Sequence, residues 1–536
     1  MQTPSRTFET RGPVSPDRNY VVPRTTEIAD LVNRMEKGRY ISIFAPRQTG
    51  KTTFFRWALD ALTDGDSTYF PIQLDFETYR NVSIESFYAN LRRDIRDEVV
   101  REPRRFGIDL TPDFQQFLDN YPLRDNNSFQ NFLRELASYL GNRRIAIIID
   151  EFDGIPRAAL SDFLYTLRRI YLSRDANQCP YSVGIVGVKN IRQLNYDRSI
   201  SPFNIHDEFA LSNFSLDQVD TLLGQYTEEV GQAFARKVVE SIHTQTAGQP
   251  FLVNRMAQIL AEEMDIPLSE TIRCEHFEFA YKKILNESNV HISHLTTNIR
   301  REARFERVLM RVILNEQKLP FSIDDPIMSE LFTYGVMLPD ADGNCKIQNP
   351  IYQYRIVRAF QPLFNGLEMQ YLPEDTDAGF LDYMTSGGKI DMRLLLSNFR
   401  DFIARAGYRI LEVPDTPKEF VGQYLLFSYL DSFVQQIRGF MYLEVRTGRG
   451  QMDLIILHAG EKYIVETKIW GGESLYQAGK AQLAAYLKSE GVHEGYYIVF
   501  DHRRNSQARA EEESIDGNVI VSYCIPALQN RPSDET

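Results

Sequence analysis

Two groups of residues in this 536-residue chain have the types and spacing for chemistry on phosphates. The first lies in FAPRQTGKTTFF, residues 44–55, and in IIIDEFD, residues 147–153. Ala45, Pro46, Arg47, Gln48, Thr49, Gly50, Lys51, Thr52 and Thr53 follow an apolar strand-like run and open a helical one. That is the context of a phosphate-cradling loop, in which backbone N–H groups and a helix N-terminus point at the phosphates. Gly50 permits close backbone approach, Lys51 would reach the β- and γ-phosphates, and Thr52 would hold Mg²⁺. Ala45 stands where the pattern has its first glycine, and an alanine is tolerable there if its φ is negative. Asp150 ends an apolar strand, where a carboxylate can hold the water shell of Mg²⁺. Glu151 beside it could polarise an attacking water. The plainer reading of Glu151 is a solvated acid at a strand end.

The second group lies in GRGQMDLIILHAGEKYIVETKIW, residues 448–470. Asp453 sits on one apolar run. Glu466 and Lys468 sit two apart on the next, so a strand puts both on one face. A hairpin would bring Asp453 beside them. Two such carboxylates make an oxygen-rich site for Mg²⁺ or Mn²⁺. A metal-bound water there becomes a nucleophile toward a phosphodiester, and Lys468 can orient it or neutralise charge. Unpaired charge in apolar strands is costly, so these acids call for a use or a partner. The plainer alternative is a Glu466–Lys468 ion pair with no catalysis.

The elements that must position these groups follow from periodicity. RYISIFAP, STYFPIQLDF, RRIAIIIDEFD and YSVGIVGV read as buried strands with amphipathic helices between them. This implies an α/β fold with a parallel sheet, expected over residues 19–212 after a polar arm at 1–18. Residues 213–294 are helical, opening on the capped SLDQVDTLLGQY. At 295–371, helices precede a hairpin signalled by Asp-Gly-Asn, which suggests a winged-helix unit. Arg300, Arg304, Arg307 and Arg311 make a basic stripe there, suited to phosphates of duplex DNA. Glu302 and Glu306 interleave with it, and a solvated helix face is the bland alternative. Residues 372–384 read as a linker, 385–510 as a second α/β domain with a tight turn near Gly460, and 511–536 as a tail ending in disordered RPSDET.

Composition bounds the rest. Hydrophobic residues are 43% and charged residues 25%, ordinary for globular chains. The net charge of −13 excludes a global basic field, so nucleic-acid contact must be local. Cys179, Cys274, Cys345 and Cys524 have no paired spacing, which fits a reducing cytosol. No signal-like or membrane-spanning run is found, so a cytoplasmic protein without membrane contact is expected.

With its loop and acid pair, the chain resembles the AAA+ and STAND-like P-loop ATPases over about residues 15–290. One strand lies between loop and acids in sequence, the order expected when the two are not adjacent in the sheet. The resemblance implies ATP as ligand. It puts Tyr20, Val22 and the rest of 20–23 around the adenine, Gly248 and Pro250 near the base, and a polar sensor at Asn190 or Arg192. Over about 385–505, Asp453, Glu466, Thr467 and Lys468 resemble the signature of the PD-(D/E)XK nuclease superfamily. That resemblance implies further ligands at Glu444 or Glu419 and a helical Gln482, with Tyr486 on the same face.

The combined expectation is an ATP-hydrolysing AAA-like ATPase that gates a metal-dependent nuclease acting on nucleic acid, DNA ahead of RNA. One rival is a nucleotide-switched scaffold whose inert C-terminal fold only binds nucleic acid or a protein. Another is an ATPase with an inert tail. Assembly into a homo-oligomer is left open.

Overall fold

The computed structural model describes residues 4–44, 49–101, 106–173, 178–187, 207–287, 297, 303–314, 319–360, 381–406, 421–444, 452–503 and 506–527. The chain divides into two compact units: residues 1–243 with 248–274, and residues 244–247 with 275–536.

In the first unit the elements run α1 Thr25–Glu36, β1 Tyr40–Phe44, α2 Lys51–Gly65, β2 Tyr69–Asp75, α3 Ile84–Arg101, α4 Pro112–Asn120, α5 Asn126–Tyr139, β3 Arg144–Asp150, α6 Arg157–Ser173, β4 Ser182–Gly187 and β5 Asp207–Ala210. The strands form one parallel sheet in the order β2-β3-β4-β1-β5. Parallel sheets are covered on both faces, so their strands read as continuous apolar runs. β3 is the clearest case. Ile145, Ile147 and Ile149 join an aromatic-rich core, while Ala146 and Ile148 join the core shared with Phe54, Phe55, Leu59 and Leu62 of α2. Strand alternation thus feeds two cores from one run. As expected from the sequence order, the acid-bearing β3 is not adjacent to β1, because β4 lies between them.

Helices α7 Leu216–Val230, α8 Arg236–Thr246 and α9 Pro250–Gln258 follow. Ser215 and Gln218 cap α7 reciprocally. Gly248 has φ +68°, and a β-carbon there would meet the Phe214 carbonyl oxygen at 1.9 Å, so only glycine fits this turn. The polar N-terminal arm packs closely on this unit. Phe8 is buried against Tyr20 and Tyr226, with ring centroids 4.6 and 6.0 Å away. Ser5 and Arg6 bond Glu229 of α7, the Phe8 N–H donates to Glu262, and the Val14 N–H reaches Thr53 Oγ1 at 3.2 Å.

In the second unit come α10 Cys274–Asn286, α11 Ala303–Leu314, α12 Pro326–Thr333, β6 Met337–Pro339, β7 Cys345–Ile347 and α13 Pro350–Phe360. β6 and β7 pair antiparallel, so the expected hairpin exists. The helical region expected to end at 294 is split, since from Glu275 the chain clusters with the second unit. Within the basic stripe, Arg304, Arg307 and Arg311 are exposed and Arg304 pairs with Glu330 at 2.7 Å; Arg300 lies outside the described residues. Glu306 is no solvated neighbour of the stripe: it is buried and accepts from Tyr424 Oη at 3.1 Å.

α14 Met392–Ala406 and α15 Val421–Gln436 lead into β8 Phe440–Glu444, β9 Met452–His458, β10 Glu461–Ile469, α16 Glu473–Glu490, β11 Glu494–Asp501, β12 Arg509–Ile515 and β13 Asn518–Pro526. α15 is apolar almost all round and correspondingly buried. The six strands form a mixed sheet in the order β12-β13-β11-β10-β9-β8. The tail expected from 511 is corrected here, since β12 and β13 complete this sheet. The reason is pairing hidden from the sequence: fully buried Lys480 of α16 binds Glu511 at 2.8 Å and Glu513 at 2.9 Å.

Candidate functional site

The end of β1 delivers the chain to Gly50, whose φ of +76° starts α2 at Lys51. Ala45, Pro46, Arg47 and Gln48 lie outside the described residues, as do Asn190 and Arg192 of the sensor expectation. Thr49 is buried, and its carbonyl accepts from Arg24 Nη2 at 3.2 Å. Lys51, at the first turn of α2, places its ammonium 3.0 Å from Glu151 Oε1 and 3.8 Å from Asp150 Oδ1. Thr52 Oγ1 donates to Asp150 Oδ2 at 3.2 Å. So loop and acids, some hundred residues apart in sequence, converge on one point as expected. Burial raises the Asp150 carboxyl above the usual carboxylate range, with Lys51 opposing.

The donors here are oxygens, a hydroxyl and a carboxylate beside a lysine and a helix N-terminus. That set fits Mg²⁺ carried on a nucleotide, because Mg²⁺ takes one or two protein oxygens plus phosphates and water. Among the described residues there is no cluster of three or more His, Cys, Asp or Glu able to hold an ion alone.

Sequence reasoning gave no role to two parts of this site. Arg24 is buried and bonds Ser212 O at 2.8 Å as well as Thr49 O, with its guanidinium 4.7 Å from the Phe214 ring centre. Burial lowers it to about 10. It thereby ties the start of α1 to the loop and to the entrance of α7. Asp75 ends β2 as the register partner of Asp150. Partial burial raises its carboxyl, and the nearby acids Glu77 and Glu151 add to the rise. A signal existed: both QLDF and IIIDEF end an apolar run in aspartate.

Tyr20 and Val22 are buried in this unit. The Tyr20 ring lies in the aromatic cluster with Phe8 and Tyr226, and the side-chain amide of Gln225 bonds both the N–H and the C=O of Val21, at 3.2 and 2.7 Å. Pro250 opens α9 just after the Gly248 turn.

At the second group, the turn at Ala459 and Gly460 joins β9 to β10, and residue 453 falls directly opposite Glu466. Residue 444 of β8 falls opposite 453 in turn. Glu466 and Lys468 are buried, with their charged atoms 3.4 Å apart. Gln482 of α16 accepts from Lys468 at 3.4 Å. Gly479 lets α16 come this close, since a β-carbon there would lie 2.1 Å from Tyr497 Oη and 3.2 Å from Lys468 Nζ. Tyr486 is buried on the same helix, and Glu419 lies outside the described residues.

Comparison with known proteins bears on the fold that carries the first group. Residues 9–355 match the family model of the AAA-like domain. The chain belongs to the AAA-like domain family. Its P-loop ATPase fold accounts for the convergence of Lys51, Thr52, Asp150 and Glu151. Residues 392–504 of this AAA-like protein match a domain of unknown function, DUF8371. An uncharacterised WD repeat-containing protein of Synechocystis sp. is 26% identical over 60% of this chain and 28% of its own length. An ORC1-type DNA replication protein of Haloarcula marismortui is 23% identical over 34% of this chain and 40% of its own. The chain thus spans well under two thirds of these relatives. Among solved structures, a Walker-type ATPase of Pyrococcus abyssi aligns with TM-score 0.47 and 16% identity, over 65% of this chain and 99% of that one. The Aeropyrum pernix ORC1 protein in complex with DNA aligns with TM-score 0.33 and 15% identity, over 63% and 93%. No helix among the described residues is long and apolar enough to cross a membrane.

Proposed function

We propose that this AAA-like protein binds and hydrolyses ATP at the Lys51 site and that the nucleotide state controls a nucleic-acid-processing site around Asp453, Glu466 and Lys468. The observation that carries the first half is the meeting of Lys51 and Thr52 with Asp150 and Glu151. Lys51 would leave Glu151 for the β- and γ-phosphates, which frees Glu151 to orient a water against the γ-phosphate. Thr52 and Asp150 would hold Mg²⁺, which when bound neutralises charge on the phosphate oxygens. Tyr20, Val22 and Pro250 would flank the base.

The second half rests on register. Residue 453 opposite Glu466, with Lys468 two residues on, is an arrangement suited to a metal-dependent phosphodiesterase of the PD-(D/E)XK kind. Asp453 and Glu466 would hold Mg²⁺ or Mn²⁺, and Lys468 would face the phosphate. DNA is the favoured substrate, in keeping with the ORC1-type replication protein among the relatives. The helices and hairpin of 303–360 would act as a winged-helix-like module, with exposed Arg307 and Arg311 toward phosphates.

The buried Glu466–Lys468 contact favours a second reading, a nucleotide-switched scaffold whose C-terminal fold binds without cutting. The readings separate cleanly. Lys51→Ala should abolish binding of fluorescent mant-ATP, and retained tight binding removes the first half. Glu466→Ala should abolish cleavage of a DNA and RNA panel in Mg²⁺ or Mn²⁺ with ATP while sparing ATP hydrolysis. A wild-type protein that cuts nothing in that panel leaves the scaffold.

A further inference from the structure

We propose that β2 forms the outer wall of the metal side of the nucleotide site, with Gln73 Oε1 and Asp75 accepting hydrogen bonds from water carried by the Mg²⁺ of bound Mg–ATP. This rests on the nucleotide reading above and adds two positioning residues to it.

Three observations lead there. First, β2 and β3 are adjacent and parallel with Asp75 opposite Asp150, and neighbouring strands lie about 4.8 Å apart. The acid tip of β2 therefore stands next to the carboxylate that binds Thr52. Second, Gln73 precedes Asp75 by two residues, so both sit on one face of the strand. Gln73 Nε2 donates to the Thr52 carbonyl at 3.4 Å, which identifies that face as the one toward α2 and the Thr52–Asp150 pair. Third, Gln73 Oε1 is buried with no hydrogen-bond partner among the described residues. Asp75 Oδ1 takes the Glu77 N–H at 2.8 Å, which leaves Oδ2 for a second donor.

The chemistry of the ion supplies the matching donors. Mg²⁺ dehydrates reluctantly and keeps several waters when held by one or two protein oxygens. Those waters act as donors and need acceptors around them. An amide oxygen and a carboxylate are such acceptors, and an amide oxygen left buried without a donor is destabilising. Charge points the same way. Asp75, Asp150 and Glu151 gather near the Lys51 ammonium, an excess of two negative charges that a divalent cation offsets.

The test measures mant-ATP affinity with and without Mg²⁺ for the full chain and for Asp75→Asn and Gln73→Leu. Metal-free affinity should stay within twofold of the parent. The gain in affinity on adding Mg²⁺ should shrink fivefold or more in each variant. The Mg²⁺ concentration for half-maximal ATP hydrolysis should rise by a similar factor, and KM for Mg–ATP should rise with it. Asp75→Glu, which keeps an acceptor, should recover most of the metal gain and remains informative if Asp75→Asn misfolds. An unchanged metal gain in folded Asp75→Asn and Gln73→Leu overturns the proposal, as does an equal loss of metal-free binding. If the parent itself fails to bind mant-ATP, the nucleotide reading fails instead.

Discussion

Replacing Phe8 by alanine should release the N-terminal arm without unfolding the protein. Phe8 is 1% exposed and wedged between Tyr20 and Tyr226. Truncating a phenylalanine so enclosed costs about 3–5 kcal/mol. The other anchors include the Ser5 and Arg6 bonds to Glu229 near the surface, worth about 1 kcal/mol, the Phe8 N–H to Glu262 and the Val14 N–H to Thr53. They cannot make up the loss, so the arm opens locally while the two cores on either side of the sheet remain. At about 1.4 kcal/mol per factor of ten, a loss of 3 kcal/mol raises the population of the open arm more than a hundredfold. Hydrogen exchange reads this directly. The Thr7 N–H bonds Arg18 O and the Tyr20 N–H bonds Thr7 O, so both amides report arm closure. Their exchange should accelerate by about two orders of magnitude in Phe8→Ala. The Phe54 N–H inside α2 should keep its rate. A change of less than fivefold at Tyr20, or equal acceleration at Phe54, would refute the reasoning.

Acid should loosen the same arm. Ser5 and Arg6 hold the Glu229 carboxyl down at about 2, from an ordinary value of 4.5. A depressed carboxylate stabilises the docked form above its unfolded value and stops doing so as pH falls through the folded one. Protection at Thr7 should therefore decline between about pH 4.5 and 2 in the parent and be nearly flat over that range in Glu229→Gln, as exchange at corrected intrinsic rates will reveal. Gly479→Ala should lower the thermal midpoint of the second unit, since overpacking against Tyr497 costs about 1–3 kcal/mol, and should push Lys468 off Gln482. Calorimetry together with the Lys468 side-chain NMR signal would register both effects, and an unshifted midpoint would mean that α16 is not packed as described.

Much of the first site was legible because its chemistry is local. A loop of fixed spacing and an acid pair at the end of an apolar strand need no knowledge of what lies alongside. The β9–β10 turn was equally readable from its glycine. Asp75 carried a signal, an apolar run ending in aspartate as in β3, but its place opposite Asp150 and that of Gln73 come from the register of β2 on β3, which no spacing within β2 encodes. Glu306 illustrates a second blind spot. On a helix its position matches a solvated charge, whereas it is buried and accepts from Tyr424, more than a hundred residues away. RAEEESI failed for a related reason: three glutamates within seven residues read as a polar tail until buried Lys480 supplies the counter-charge of Glu511 and Glu513 and Arg393 that of Glu512.

The place of β13 in its sheet has a consequence for biosynthesis. It is the last of the six strands to be made, yet it lies inside the sheet, parallel to β11 on one side and antiparallel to β12 on the other. While residues 518–526 are still untranslated, β11 keeps an open edge and β12 has no partner strand. Unpaired edges of this kind are sticky toward other chains. The sheet that carries Glu466 and Lys468 therefore closes late, after the first unit has had time to fold. A chain interrupted before residue 518 would carry an intact phosphate loop and an unfinished second unit.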